Sequence, residues 1–313
     1  MSKYEKVFIY FDTNILEPKF GKDSLNLSQF TVKSIYYEIK NLLEKAGIND
    51  KVELCIPEIV WMELKEHYIR CFKSEKQSLT NVIEPYKKIF GDMLELSYKI
   101  KHGDTLQEYK EHLDDMSNEF LENPRNDIKI VPYPKDEEIF DEIVKKAVRT
   151  NRPFKKVNSS QKEYTDAGFK DALIYNTIVN CTGKHLGILV TGDKDFIDLF
   201  NNEPVENLKL CTNLEEVKEV LASEFDIITD KTIEDILNSD EYLIHKIFSD
   251  SGLDENATYH IQKVNIKETT EEGTRADFMA FVNGELYSFE VLYNIPANEL
   301  IESACEPYEE REE

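Results

Sequence analysis

Four stretches of the chain each carry a carboxylate to a place where it can do chemistry. In KVFIYFDTNIL an apolar, β-branched and aromatic run, residues 7–11, stops at Asp12. In GILVTGDKDF a second such run stops at Thr191-Gly192, and Asp193 and Asp195 follow. Glu63 lies about a turn and a half into the helical pattern of EIVWMELKEH, and Asp171 stands near the start of another, GFKDALIYNTI. Carboxylates gathered at one site repel one another, and without a cation at least one has a raised pKa. Hard oxygen donors with few other ligands suit Mg²⁺ or Mn²⁺. Mg²⁺ keeps several waters, so a few carboxylates suffice. One such ion, or two about 4 Å apart, activates water and stabilises a leaving oxygen in phosphodiester hydrolysis. Each acid alone has an ordinary reading: Asp12 as a turn residue, Glu63 as a surface acid, Asp171 as compensation for a helix dipole, Asp193 and Asp195 as a solvated turn. Their order, placement and strand context together favour a metal site.

The elements that must position these acids alternate between strand and helix. Strand patterns end at Asp12, run through KVELCIP and DIKIVPYP, end at Asp193, and recur in NLKLCT. Helical patterns cover residues 28–46, EIVWMELKEHYIRCF, DEEIFDEIVKKAV, DAGFKDALIYNTIVNCTG, DFIDLFN and NLEEVKEVLA. Alternation of this kind implies an α/β fold with a doubly wound parallel sheet over residues 1–225. Residues 74–123 read as a helical insertion punctuated by Pro85, Gly91 and Gly103. In an open parallel sheet, ligands bind outside the carboxyl ends of the strands, which puts all four acids on one rim. Residues 226–313 change pattern: helix first, then alternating runs with turns at TEEGT and Asn283-Gly284, the latter a strong hairpin signal. They read as a small acidic α+β domain. There Asp277 and Glu290 resemble a restriction-type pair, but Leu292 stands where that chemistry needs a lysine, so only a degenerate fold used for binding stays open.

The net charge of −24 argues against a protein that coats nucleic acid non-specifically. The charge is uneven. Residues 228–313 hold 21 acids and 6 bases, whereas residues 144–164 carry seven Lys or Arg and one Glu. The five cysteines are scattered, with no CxxC pair, and read as reduced thiols. The six histidines show no zinc spacing, and no phosphate-binding GxxxxGK[ST] occurs. No apolar run approaches the roughly 20 residues that span a bilayer, and the apolar stretch at the N-terminus is too short for a signal peptide. A cytoplasmic protein is expected.

FIYFDTNIL, VWMELKEH, GFKDALIYNTI and LVTGDKDF resemble the four acidic motifs of PIN-domain nucleases. The resemblance covers about residues 5–222 and is nearest to the larger bacterial PIN-like proteins with a helical insertion. It implies a three-layer α/β/α sandwich and metal-dependent cleavage of RNA, less often DNA. It implies Asp12, Glu63, Asp171 and Asp193 as catalytic metal ligands and Asp195 as an accessory acid. Asn14 matches a residue that buttresses the first Asp, and Thr191 one that precedes the fourth motif. In the basic stretch, Arg149, Arg152, Lys155 and Lys156 are candidates to hold phosphates, and Phe154 to stack a base. Lys170 is a candidate contact to the scissile phosphate.

The expected function is a metal-dependent endonuclease, foremost an endoribonuclease, serving as a toxin or an antiphage defence effector. The rival is a catalytically silent module on the same scaffold that binds RNA or a protein. The expected partners are nucleic acid and a regulatory or inhibitory protein acting through residues 226–313. No membrane is expected, and a homo-oligomer is left open.

Overall fold

A computed structural model describes residues 4–18, 26–91, 99–149, 154, 168–202, 204–225, 228–270, 272–295, 297 and 299–308. The chain forms two compact units, one of residues 4–38 and 52–214, the other of residues 39–51 and 215–313.

In chain order the first elements are β1 (Val7–Phe11), α1 (Thr13–Leu16), α2 (Ser34–Lys45), β2 (Val52–Pro57), α3 (Glu58–Phe90), α4 (Leu106–Glu122) and β3 (Ile128–Val131). Then come α5 (Glu137–Arg149), α6 (Phe169–Thr182), β4 (Leu186–Val190), α7 (Lys194–Asn202), β5 (Leu208–Cys211) and α8 (Leu214–Phe225). The five strands form one sheet in the order β3-β2-β1-β4-β5, with every pairing parallel. Helices flank this sheet in a three-layer α/β/α arrangement. β1 and β4 are buried at every residue, as a strand covered on both faces must be, and their sequences are continuous apolar runs for that reason. The order reverses at β1, which pairs with β2 on one side and β4 on the other. The crevice for a ligand therefore opens at the carboxyl ends of β1 and β4.

The segment expected as a helical insertion begins inside α3. This helix of 33 residues runs unbroken through Pro85, a length of about 50 Å at 1.5 Å per residue. Its first half buries Val60, Trp61, Leu64, Tyr68, Ile69 and Phe72. Beyond that, Leu79, Val82, Tyr86, Ile89 and Phe90 are exposed. Pro85 thus fails as a break. It removes one backbone bond on an exposed stretch, where water satisfies the freed carbonyl. Thr105 then starts α4 with a reciprocal capping box to Glu108.

The second unit holds α9 (Asp230–Ser239), α10 (Glu241–Asp250), β6 (Tyr259–Thr269), β7 (Thr274–Val282), β8 (Glu285–Asn294) and β9 (Glu299–Pro307). Its strands make an antiparallel meander in the order β6-β7-β8-β9. Ile244, Ile247 and Phe248 of α10 pack with Ile233 and Leu237 of α9 against the inward residues of β7 and β8, among them Phe278 and Phe289. Asn283 and Gly284 turn between β7 and β8 with φ of 51° and 90°, the two positive angles that a tight two-residue hairpin requires. Asp277 and Glu290 are cross-strand partners. Each meets a cation, Lys267 at 2.6 Å and Arg275 at 2.6 Å. The pair is thus tied up in exposed ion pairs, in keeping with the absence of a lysine at position 292.

Gly187 of β4 sets how closely α6 and β5 approach the strand that leads to Asp193. A Cβ at this position would lie 2.5 Å from Leu208 Cδ1 and 2.7 Å from Thr182 Oγ1, and that hydroxyl also donates to the Tyr10 hydroxyl. Gly187→Ala should therefore destabilise the chain by about 1–3 kcal/mol through overpacking, read as a lowered urea midpoint with an unchanged slope.

Candidate active site

Asp12 follows the last residue of β1 and is 5% exposed. Its backbone N–H still donates to Val190 O of β4, at 3.1 Å, so the residue is pinned between the two central strands. One side-chain oxygen accepts from the Thr13 N–H at 2.7 Å. The other accepts from Asn14 Nδ2 at 2.7 Å and from Thr191 Oγ1 at 2.6 Å. Asp12 thereby caps α1, so the turn reading of this residue and the site reading are both realised by one carboxylate.

Asn14 and Thr191 tie the ends of β1 and β4 together. Asn14 Oδ1 accepts from the Gly192 N–H at 3.0 Å, and Thr191 Oγ1 accepts from the Asp193 N–H at 3.0 Å. Thr191 is fully buried, and its own N–H donates to Cys211 O of β5. The short segment 191–193 is therefore held from both sides.

Glu63 arrives from α3, which starts immediately after β2. Its carboxylate accepts from Thr13 Oγ1 at 2.5 Å and pairs with Lys170 Nζ at 2.8 Å. Thr13 thus links the two acids: its N–H serves Asp12 and its hydroxyl serves Glu63. Asp171 sits in the first turn of α6, next to Lys170. Asp12, Glu63, Asp171 and Asp193 all line one open cleft of about 480 Å³.

Burial pushes the Asp12 carboxyl up to about 6. The bonds from Thr191 and Thr13 oppose that rise, and the charges of Asp193 and Glu63 add to it. Among the described residues, no three His, Cys, Asp or Glu side chains are grouped so as to hold a metal ion. The chemistry of the donors nonetheless fits one kind of cation. The acids on the cleft present hard oxygens, and the buried acid among them carries a desolvation cost that a cation would relieve.

The other expected site residues are placed as follows. Asn14 and Lys170 line or enter the cleft, and Thr191 supports it from below. The side chain of Asp195 lies outside the described residues, as do Arg152, Lys155 and Lys156. Arg149 is exposed at the end of α5 and is not among the residues lining the cleft. Phe154 corrects an expectation: it is 8% exposed and packs with Ile143, Ala172 and Leu173. Its ring is spent on packing under the first turn of α6, so it offers no face to a base.

Several cleft residues escaped the sequence reading. Met62, Glu66 and Arg70 join Glu63 on α3, Glu17 follows α1, and Phe169 begins α6. Glu66 and Arg70 stand at +3 and +7 from Glu63, the spacing of one helix face, and that spacing was the available signal. His67 lies one turn beyond Glu63, with its Nδ1 against Glu17 Oε1. Burial, with the Arg70 charge nearby, holds this imidazole down to about 4, so at neutral pH it donates to Glu17 uncharged.

A family model described as PIN domain matches residues 9–196 of the chain. No curated protein matches it.

Asp12 binds a proton more readily in the folded chain than in the unfolded one, where the ordinary value is 3.8. Its destabilising contribution is absent well below 3.8, grows as the pH rises, and is complete above about 6. At about 1.4 kcal/mol per unit it reaches at most about 3 kcal/mol. Thermal melts from pH 4 to pH 7 without divalent cations should show stability falling with this profile in the native chain. Asp12→Asn should lack that component, and Mn²⁺ at pH 7 should raise the Tm of the native chain only.

Proposed function

The chain belongs to the PIN-domain family, and we propose that it is a metal-dependent endonuclease whose substrate is RNA. The observation that carries this reading is Asp12. A carboxylate buried at the switch point of the sheet, oriented by three donors and facing Glu63, Asp171 and Asp193 across a cleft, is costly to keep unless charge is delivered to it.

Asp12, Glu63, Asp171 and Asp193 would hold one or two Mg²⁺ or Mn²⁺ ions, with Asp195 as an accessory acid. When bound, such an ion supplies an acidified water and a counter-charge for the departing oxygen. The remaining work falls to side chains. Asn14 and Thr191 fix the orientation of the Asp12 carboxylate and leave it no free rotation. Thr13 holds Glu63 in register with Asp12. Lys170, in its ion pair with Glu63, stands ready to exchange that partner for a phosphate oxygen. We keep Arg149, Arg152, Lys155 and Lys156 as contacts to the flanking strand. We also keep residues 226–313 as a regulatory domain for a protein partner, in a cytoplasmic toxin or antiphage effector. No helix among the described residues is long and apolar enough to cross a membrane.

One observation favours the rival reading of a silent binding module: no ready cage of three ligands exists among the described residues. Both readings need the cleft, and they part on metal-dependent chemistry. The full-length protein and Asp12→Asn are incubated with mixed RNA and single-stranded DNA, with Mn²⁺ or with EDTA. The expected result is RNA cleavage that requires Mn²⁺ and falls at least 100-fold in the variant, with an unchanged fold by circular dichroism. RNA bound but uncut under every condition would replace this reading with the binding module.

A further inference from the structure

The proposed chemistry needs carboxylates, cations and water, yet the cleft also has an apolar wall. Phe169 is 38% exposed and Met62 is 52% exposed, and both line it. Met62 precedes Glu63 on α3, and Phe169 precedes Lys170 and Asp171 on α6. The two adjoining helices thus each present a large apolar side chain beside their acid. Together they offer an apolar face beside the polar groups of the cleft, the combination that orients a ligand with one flat apolar side.

Arg70 is the second unexplained group. It is exposed and lines the same cleft; among the described residues it makes no ion pair or hydrogen bond, although its charge opposes the rise in pKa that burial gives Glu17 nearby. It stands seven residues beyond Glu63 on one helix face, about 10 Å along the axis. An exposed guanidinium in the cleft, near Glu17 but not bonded to it, has donors to offer an anion from outside.

The geometry points to a nucleobase seat. Phe169 and Met62 receive an unpaired base next to the scissile phosphate, and Arg70 holds a neighbouring phosphate of the same strand. This deepens the nuclease reading and rests on it. It assigns the cleft to single-stranded nucleic acid, because a base within a duplex has both faces stacked and cannot lie on Phe169. The stacking role passes from Phe154, which is buried, to Phe169.

Binding of a labelled single-stranded RNA oligonucleotide to the full-length protein is followed by fluorescence anisotropy, with Ca²⁺ in place of Mn²⁺. Base–aromatic stacking lost on alanine substitution corresponds to about a tenfold weaker Kd. Phe169→Ala and Met62→Ala should each show a weakening of that order or somewhat less, and Phe169→Trp should bind within about twofold of the native chain. An oligonucleotide with an abasic site at the mapped cut position should bind the native chain and Phe169→Ala equally. Arg70→Gln should flatten the plot of log affinity against log salt by about 0.7, the loss of one phosphate contact on a single strand. Native affinity in Phe169→Ala, or a loss that persists with the abasic strand, overturns the seat while leaving cleavage by the native chain to stand. Base-dependent binding without metal-dependent cleavage overturns the nuclease and keeps the seat. A native chain that binds no oligonucleotide overturns both.

Discussion

A carboxylate placed at the end of the innermost strand constrains everything around it. Asp12 is out of reach of most water, so its charge must be answered locally, and the chain spends the whole turn after β1 doing so. Thr13 and Asn14 point their donors back at it, and Thr191 reaches it from the neighbouring strand. The same groups then hold what lies next to them: Thr13 holds Glu63, Asn14 holds Gly192, and Thr191 holds Asp193. Asp12, Glu63 and Asp193 are therefore joined in one network, and replacing Thr13 or Thr191 disturbs two of these acids.

The parts that could be read in advance obey strong local rules. Buried parallel strands are continuous apolar runs, and an acid that ends such a run is conspicuous; Asp12 and Asp193 were visible for that reason. Asn283-Gly284 was visible because few dipeptides accept two positive φ angles. What stayed hidden depends on tertiary context. Phe154 and Phe169 are the same residue type, fifteen positions apart in one basic region, and only packing decides which is buried. Pro85 reads as a break because propensity does not register that a lost bond on an exposed helix costs less. Arg70 looks like any surface arginine until Glu17, distant in sequence, is found lining the same cleft.

The two units handle acidity differently. In the second, Asp277 pairs with Lys267 and Glu290 with Arg275 on the face of a meander, where exposed pairs contribute little to stability. In the first, among the described residues that line the cleft, acids outnumber cations. Glu63 meets Lys170, whereas burial and the neighbouring acids raise the Asp12 pKa despite its donors. Of the two constellations of acids, only the cleft holds a buried carboxylate, and a buried charge is what a bound cation answers.

The bond from Thr191 to Asp12 spans 179 residues of chain. Closing so long a loop is slow and entropically expensive, and during synthesis it cannot begin until the partner strand has left the ribosome. A growing chain that already displays Asp12 therefore has no site, because β4 and the donor that orients the carboxylate do not yet exist. Assembly of the centre is coupled to near-completion of the first unit. Whatever chemistry the rim supports is therefore withheld for most of the time the chain is attached to its message.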